Sequence, residues 1–303
     1  MATVTLPQAT RYPSKSRNER ITQVALLFLL TFFALPFVFP LIWLVSTSLK
    51  SATQIYISPP IWIPNPPRFD NFATAWNVAP FNLFLVNTMI TTFLPMIGEI
   101  FVSAMVAYAF ARVRWPGRDK VFSLCLASMI LPSIITFIPT FVMFSKLGWI
   151  NTFLPFIVPA YFGSAYYVFL LRQFMMTLPE GLEEAAKIDG ATTFQTFIQI
   201  ILPLLKPALA TVAIFAFMAH WTDFFGPMIY LQKATLKTLM LGLASFESMM
   251  SGAGGSAIGG GFVSSKLHLL MAVTLLIDLP CVILFLLFQR YFIRDIVMSG
   301  FKL

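Results

Sequence analysis

The stretch Thr177-Leu178-Pro179-Glu180-Gly181-Leu182-Glu183-Glu184-Ala185-Ala186-Lys187-Ile188-Asp189-Gly190-Ala191-Thr192-Thr193-Phe194-Gln195, running on to Ile200-Ile201-Leu202-Pro203, decides how this chain is read. Its residues predict two short helices joined by a tight turn. Thr177 and Glu180 have the spacing of a capping box, Pro179 is tolerated in a first turn, and Glu180, Glu183 and Glu184 sit where the helix dipole favours negative charge. Gly190 is placed to stop that helix in a left-handed conformation, and Thr192 with Gln195 offers a second capping box. The first helix should run about three turns. The second climbs through Leu202-Pro203 into apolar sequence. On the first, Glu180 and Glu184 share one face, Leu178, Leu182 and Ala185 another, and Ala186 lies between them. Small alanines admit a partner surface closely, although a helix lying flat on a membrane would show the same pattern.

Around this polar island the chain is apolar. Of 303 residues, 58% are hydrophobic and only 11% charged, against a charged fraction of about 25% in soluble domains. The fold class is therefore an all-α integral membrane protein, and the 33 Phe residues suit a lipid-facing surface. A crossing helix needs about 20 apolar residues. The gaps between charges predict six transmembrane helices, at 21–47, 82–111, 121–145, 151–171, 205–232 and 267–289. They form one transmembrane domain, 21–303, after a polar segment 1–20; a loop 173–204 carries the opening stretch, and a Gly-rich loop spans 247–265.

Lys and Arg collect on the side holding the N-terminus, with Arg112, Arg114, Arg118, Lys120, Arg172, Lys187, Lys206 and Arg290, so both termini and the 173–204 loop are expected in the cytoplasm. The formal charge of +8 is thus topological and implies no nucleic-acid partner. Cys125 and Cys281 sit in apolar runs as small hydrophobes, and two histidines without ligand spacing predict no metal site. The connector Ser58-Pro59-Pro60-Ile61-Trp62-Ile63-Pro64-Asn65-Pro66-Pro67 is too proline-rich for helix or central strand and should lie extended at the interface.

Carboxylates inside spans are costly and should face the bundle or a wet cavity. Glu99, Asp223 and Asp278 are such groups, Glu99 with a structural leaning. His220, Trp221 and Asp223 together, with Asp278, are candidates for a polar substrate path, where an aromatic face stacks on a sugar ring and polar groups meet its hydroxyls. A packed histidine and helix-bonded carboxylates are the structural alternative.

Glu184-Ala185-Ala186, three residues, Gly190, nine residues, then Ile200-Ile201-Leu202-Pro203 matches the signature of binding-protein-dependent ABC importer permeases. Lys187-Ile188-Asp189-Gly190-Ala191, the proline-rich connector, Trp221-Thr222-Asp223-Phe224 and Phe288-Gln289-Arg290-Tyr291-Phe292 resemble the carbohydrate branch, and the chain is similar over nearly its whole length to the smaller permease of maltose-type transporters. Thr222 stands where the family often has Asn. The resemblance implies a type I ABC importer permease fold in a bacterial cytoplasmic (inner) membrane. It implies a heterodimer with a second permease, two ATPase subunits that use ATP and Mg, and an extracytoplasmic sugar-binding protein. Glu183, Glu184, Ala185, Ala186, Asp189 and Gly190 would form the ATPase-coupling helix. The chain has no phosphate-binding loop, so it is not itself an ATPase and needs no cofactor of its own. A permease for a noncarbohydrate solute, or a secondary transporter, remains the alternative reading.

Overall fold

The structure, a computed structural model, describes residues 17–55, 57–250 and 266–300. All regular elements among them are helical: α1 (Arg17–Ser48), α2 (Asp70–Trp76), α3 (Phe81–Ala111), α4 (Arg118–Ser128), α5 (Ser133–Lys146), α6 (Leu154–Ala160) and α7 (Ala165–Met175). There follow α8 (Gly181–Ile188), α9 (Thr193–Thr196), a π turn (Phe197–Ile201), α10 (Leu202–Leu204) and α11 (Lys206–Trp221). α12 (Phe225–Tyr230), α13 (Leu239–Met250) and α14 (Leu267–Gly300) complete the chain.

Four segments among the described residues are long and apolar enough to cross a bilayer: Thr22–Ser48, Phe81–Ala111, Leu154–Met175 and Leu267–Gln289. Thr193–Leu204 with Lys206–Trp221 makes a fifth if that pair, bent by 79°, counts as one. The expected span 121–145 is instead two helices. Pro132 has no N–H and its ring would clash with the preceding turn, so α4 stops at Ser128 and α5 starts afresh at Ser133. The expected 205–232 span is likewise divided, with α12 following a turn after Trp221. Residues 247–250 of the expected Gly-rich loop belong to α13, an apolar helix that loop composition did not announce, and 251–265 lie outside the described residues.

α3 is the central post, touching α6, α7, α11 and α13. In lipid, helices gain nothing by hiding apolar surface from one another, so close packing and satisfied polar groups hold the bundle. Small residues supply the closeness: Ala104, Ala107 and Ala216 are fully buried, and a Cβ on Gly98 would meet the Tyr161 ring at 2.5 Å. Two packed clusters result. One joins α3 through Ala104 and Phe110 to Leu171 and Met175 of α7 and to Phe197, Ile201 and Leu205 beyond α9. The other joins Phe81 and Phe84 of α3 to Trp221 of α11, Leu239 of α13 and Ile277 of α14.

At the second cluster's end, polar side chains tie loops to helix termini. Asn71 donates to the carbonyls of Ser48 and Lys50 at 2.7 and 2.8 Å, serving acceptors left over by the end of α1. Asn87 donates to Thr235 and Lys237, and the Leu239 N–H reaches the Thr88 hydroxyl at 2.8 Å, so the segment before α13 is stitched to α3. The proline-rich connector is irregular, as expected, with Trp62 edge-on to Phe39 and Trp43 of α1. Most of α1, by contrast, is exposed, Phe28 at 73% and Phe37 at 80%.

Candidate functional site

The segment after α7 is shaped almost entirely by local hydrogen bonds. Gly190 adopts φ +81°, its N–H reaches the Lys187 carbonyl at 3.1 Å, and the Ala191 N–H reaches the Ala186 carbonyl at 2.9 Å. That is a Schellman stop. A Cβ at Gly190 would meet nothing within 4 Å, so glycine is required by backbone conformation rather than by space. Two residues on, the Gln195 N–H reaches the Thr192 hydroxyl at 3.2 Å while the Thr192 N–H reaches Gln195 Oε1 at 2.8 Å, a complete capping box. The expected box at Thr177 and Glu180 does not form. Thr177 follows α7 so closely that its hydroxyl donates back to the Phe174 carbonyl at 2.7 Å, and α8 begins at Gly181 with Glu180 before it.

Arg112, just past the end of α3, braces this segment from the other side. Its Nη2 donates to the carbonyls of Met175 and Leu178, both at 2.6 Å, where α7 ends and the chain turns into α8. Its Nε lies 3.5 Å from Glu183 Oε1, an ion pair without an aligned hydrogen bond. The Glu183 side chain is only 14% exposed. Burial pushes its carboxyl above the ordinary value, against the opposing pull of Arg112 and Lys187.

α8 thus has two faces. Ala186 is buried and Glu183 is turned to Arg112, whereas Glu184, Ala185, Lys187, Asp189 and Gly190 are exposed. Ile188 is 86% exposed and Phe194 59%, so the outer face offers apolar groups between carboxylates.

The mid-span candidates are placed as follows. His220 Nε2 of α11 lies 2.9 Å from Glu99 Oε2 of α3, a hydrogen bond whichever group holds the proton. The Trp221 N–H donates to the Ile277 carbonyl at 3.0 Å and its ring stacks on Phe217, 4% exposed. Asp223 Oδ1 accepts from the Gly226 N–H at 3.1 Å at the start of α12, and a Cβ at Gly226 would strike the same carboxylate. Asp278 is exposed on α14. Among the described residues no three His, Cys, Asp or Glu side chains cluster as metal ligands.

Residues 99–298 match the family model described as "Binding-protein-dependent transport system inner membrane component". The chain belongs to this family. It is 33% identical over 253 residues, 82% of this chain and 86% of the relative, to the sn-glycerol-3-phosphate transport system permease protein UgpE of Yersinia enterocolitica. It is also 33% identical over 211 residues, 69% of each chain, to the diacetylchitobiose uptake system permease protein NgcG of Streptomyces coelicolor. A crystal structure of a bacterial ABC transporter involved in import of the acidic polysaccharide alginate shares the fold, with TM-score 0.76 and 23% identity over 93% of this chain and all of that one.

For a binding-protein-dependent inner membrane component, the geometry brings some sequence candidates together and separates others. Glu184, Ala185, Asp189 and Gly190 lie on the exposed side of one segment, while Glu183 and Ala186 face inward. His220, Trp221 and Asp223 are consecutive or nearly so, yet each is bonded to a different element. Arg112 was not among the sequence candidates. A basic residue ending a span is what the positive-inside pattern explains, and only its burial and three partners set it apart.

Proposed function

We propose that this chain is one of two permease subunits of an ATP-driven importer for a sugar or oligosaccharide delivered by an extracytoplasmic binding protein. The observation carrying this reading is the outer face of α8, a short helix stopped by a Schellman turn at Gly190 and presenting Glu184, Ala185 and Ile188 to the outside of the bundle. Such a face fits a cleft on a separate ATPase subunit. Glu183 and Ala186 hold the helix from behind, and Glu184, Ala185, Asp189 and Gly190 meet the partner. Closure of two ATPases on ATP and Mg would move the two permeases between inward-open and outward-open states as rigid bodies.

The topology proposed with it has six spans, the third and fifth broken, with 1–20, the 173–204 loop and both termini cytoplasmic. This single 21–303 domain sits in the bacterial cytoplasmic membrane. Hydrolysis belongs to the partners, since the sequence carries no phosphate-binding loop. The substrate path is assigned to the region of His220, Trp221 and Asp223 and to Asp278, whose exposed carboxylate at mid-span calls for the second permease or a wet passage rather than lipid.

Diacetylchitobiose uptake and alginate import by similar proteins favour a carbohydrate. The similarity to a glycerol-phosphate permease supports a second reading, a polar noncarbohydrate solute. Affinity purification of the tagged chain from its native membranes should bring down an ATPase. Proteoliposomes holding that complex should take up labelled oligosaccharide only with ATP and loaded binding protein. A chain that purifies alone, or uptake driven by an ion gradient without ATP, would sink the reading, and uptake restricted to a polyol phosphate would replace the sugar.

A further inference from the structure

The α8 segment is joined covalently at both ends, directly to α7 through residues 176–180, and onward through α9, the π turn at Phe197–Ile201, Pro203 and the 79° bend before α11. A π turn departs from regular α-helical hydrogen bonding, and Pro203 and Pro207 each lack an N–H, so the onward route is jointed. A further link is noncovalent. Arg112 grips the carbonyls of Met175 and Leu178 and faces Glu183, and it stands at the end of α3, whose internal proline, Pro95, lies before Glu99. Glu99 lies thirteen residues earlier on α3, about 20 Å along a helix rising about 1.5 Å per residue, and is bonded to His220 of α11. Between α8 and the α3–α4 linker lies a cavity of about 650 Å³, lined by Arg112, Arg114, Arg118, Glu183, Lys187 and Thr196. Beside the packing of α3 on α7, Arg112 is the side chain by which the end of α3 meets both the α7–α8 turn and Glu183 of α8.

We propose that Arg112 is a positioning residue that makes α3 a transmission rod between α8 and the Glu99–His220 contact. This rests on the reading of α8 as the ATPase-docking helix. Arginine suits the role because its planar fork can serve two carbonyls and a carboxylate together, which a lysine ammonium on a flexible stem does not.

The test compares wild type, Arg112→Gln and Arg112→Lys, each purified with its ATPases and reconstituted with loaded binding protein, by solute delivered per ATP hydrolysed. Arg112→Gln should lower that ratio about tenfold, the scale of losing charge-assisted hydrogen bonds, with the ATPases still co-purifying. Arg112→Lys should fall between, about threefold down, since it keeps the charge and one carbonyl contact. An unchanged ratio in Arg112→Gln overturns the proposal, as does a parallel fall in uptake and hydrolysis, which marks a merely structural role. If Arg112→Gln fails to assemble, Arg112→Lys decides on the same measure, and a wild-type ratio there overturns the proposal. If wild type itself shows no ATP-driven uptake, the reading of α8 fails first and the rod falls with it.

Discussion

α3 carries one side-chain tie at mid-helix and another at Arg112, just past its end, and they differ in kind. At mid-helix, Glu99 meets His220 at 2.9 Å, a direct hydrogen bond between two partly buried side chains of neighbouring helices. At the end, Arg112 gives its short contacts to two backbone carbonyls and holds Glu183 only at 3.5 Å, with neither ionic atom hydrogen-bonded. The first tie is closed and specific to a pair of side chains. The second clamps backbone firmly and lets α8 sit against a guanidinium with slack. Under the proposed coupling role of α8, a tie that fixes two helices and a tie that steers a movable one ask for this difference, because a tightly satisfied pair resists displacement and a looser one tolerates it.

Breaking the mid-helix tie should have the largest effect on stability. His220→Leu leaves the Glu99 carboxyl without its hydrogen-bond partner, and stranding a polar group in this way costs about 1 to 3 kcal/mol. The apparent Tm of the detergent-solubilised protein should drop sharply, and the double change Glu99→Leu with His220→Leu should recover most of it. A single variant as stable as wild type would show that the pair is not a tie at all.

At the other end, the next largest effect is expected at Gly190. A β-branched residue there must adopt φ near +81°, at a cost of about 1 to 2 kcal/mol, and would loosen the Schellman stop that sets the angle between α8 and α9. Gly190→Val should insert normally yet abolish uptake, as should Glu184→Lys on the exposed face. ATPase stimulation by loaded binding protein surviving both would remove α8 from the coupling path. Thr192→Ala is a milder probe of the same joint. It deletes one half of the capping box and should cost about 1 kcal/mol, read as a modest fall in thermal stability with uptake reduced rather than lost.

The α8–α9 joint and the two ties of α3 also differ in how far the sequence foretells them. Gly190, Thr192 and Gln195 act on backbone within three or four residues of themselves, so their spacing predicts the geometry found. Thr177 misleads for a local reason too, since α7 ends two residues before it and its carbonyls compete for the hydroxyl. Glu99 and His220 are 121 positions apart, and Arg112 reaches carbonyls 63 and 66 positions away. Pairing across such separations is set by which helices pack around α3, which hydropathy does not encode. α1, α3 and α14 stand near the expected spans because each is long and mostly apolar, interrupted in α3 by Glu99 and in α14 by Asp278, whereas span counting merged α4 with α5 because charge spacing is blind to Pro132. It passed over α13, whose twelve residues are too few to cross a bilayer and lie beside a glycine-rich stretch.

The smallest effect expected is also the one that separates firmness from slack at Arg112. Burial lifts the Glu183 carboxyl above its ordinary value, and the nearby Arg112 and Lys187 pull it back only in part, while Glu180 adds to the lift. A carboxyl with a raised folded-state value keeps its proton longer when folded than when unfolded. As pH rises from the ordinary glutamate range through the raised value, the unfolded chain ionises first, and stability contributed by Glu183 is lost across that window and then levels off. Glu183→Gln has no proton to lose there. The Tm of wild type relative to Glu183→Gln should therefore fall with rising pH through the window and stay flat above it. A relative Tm that climbed instead would mean that attraction to Arg112 outweighs burial, making this end as closed a tie as Glu99 with His220. The falling profile is the signature of a contact kept for where it holds α8, with the guanidinium's short bonds to Met175 and Leu178 supplying the hold.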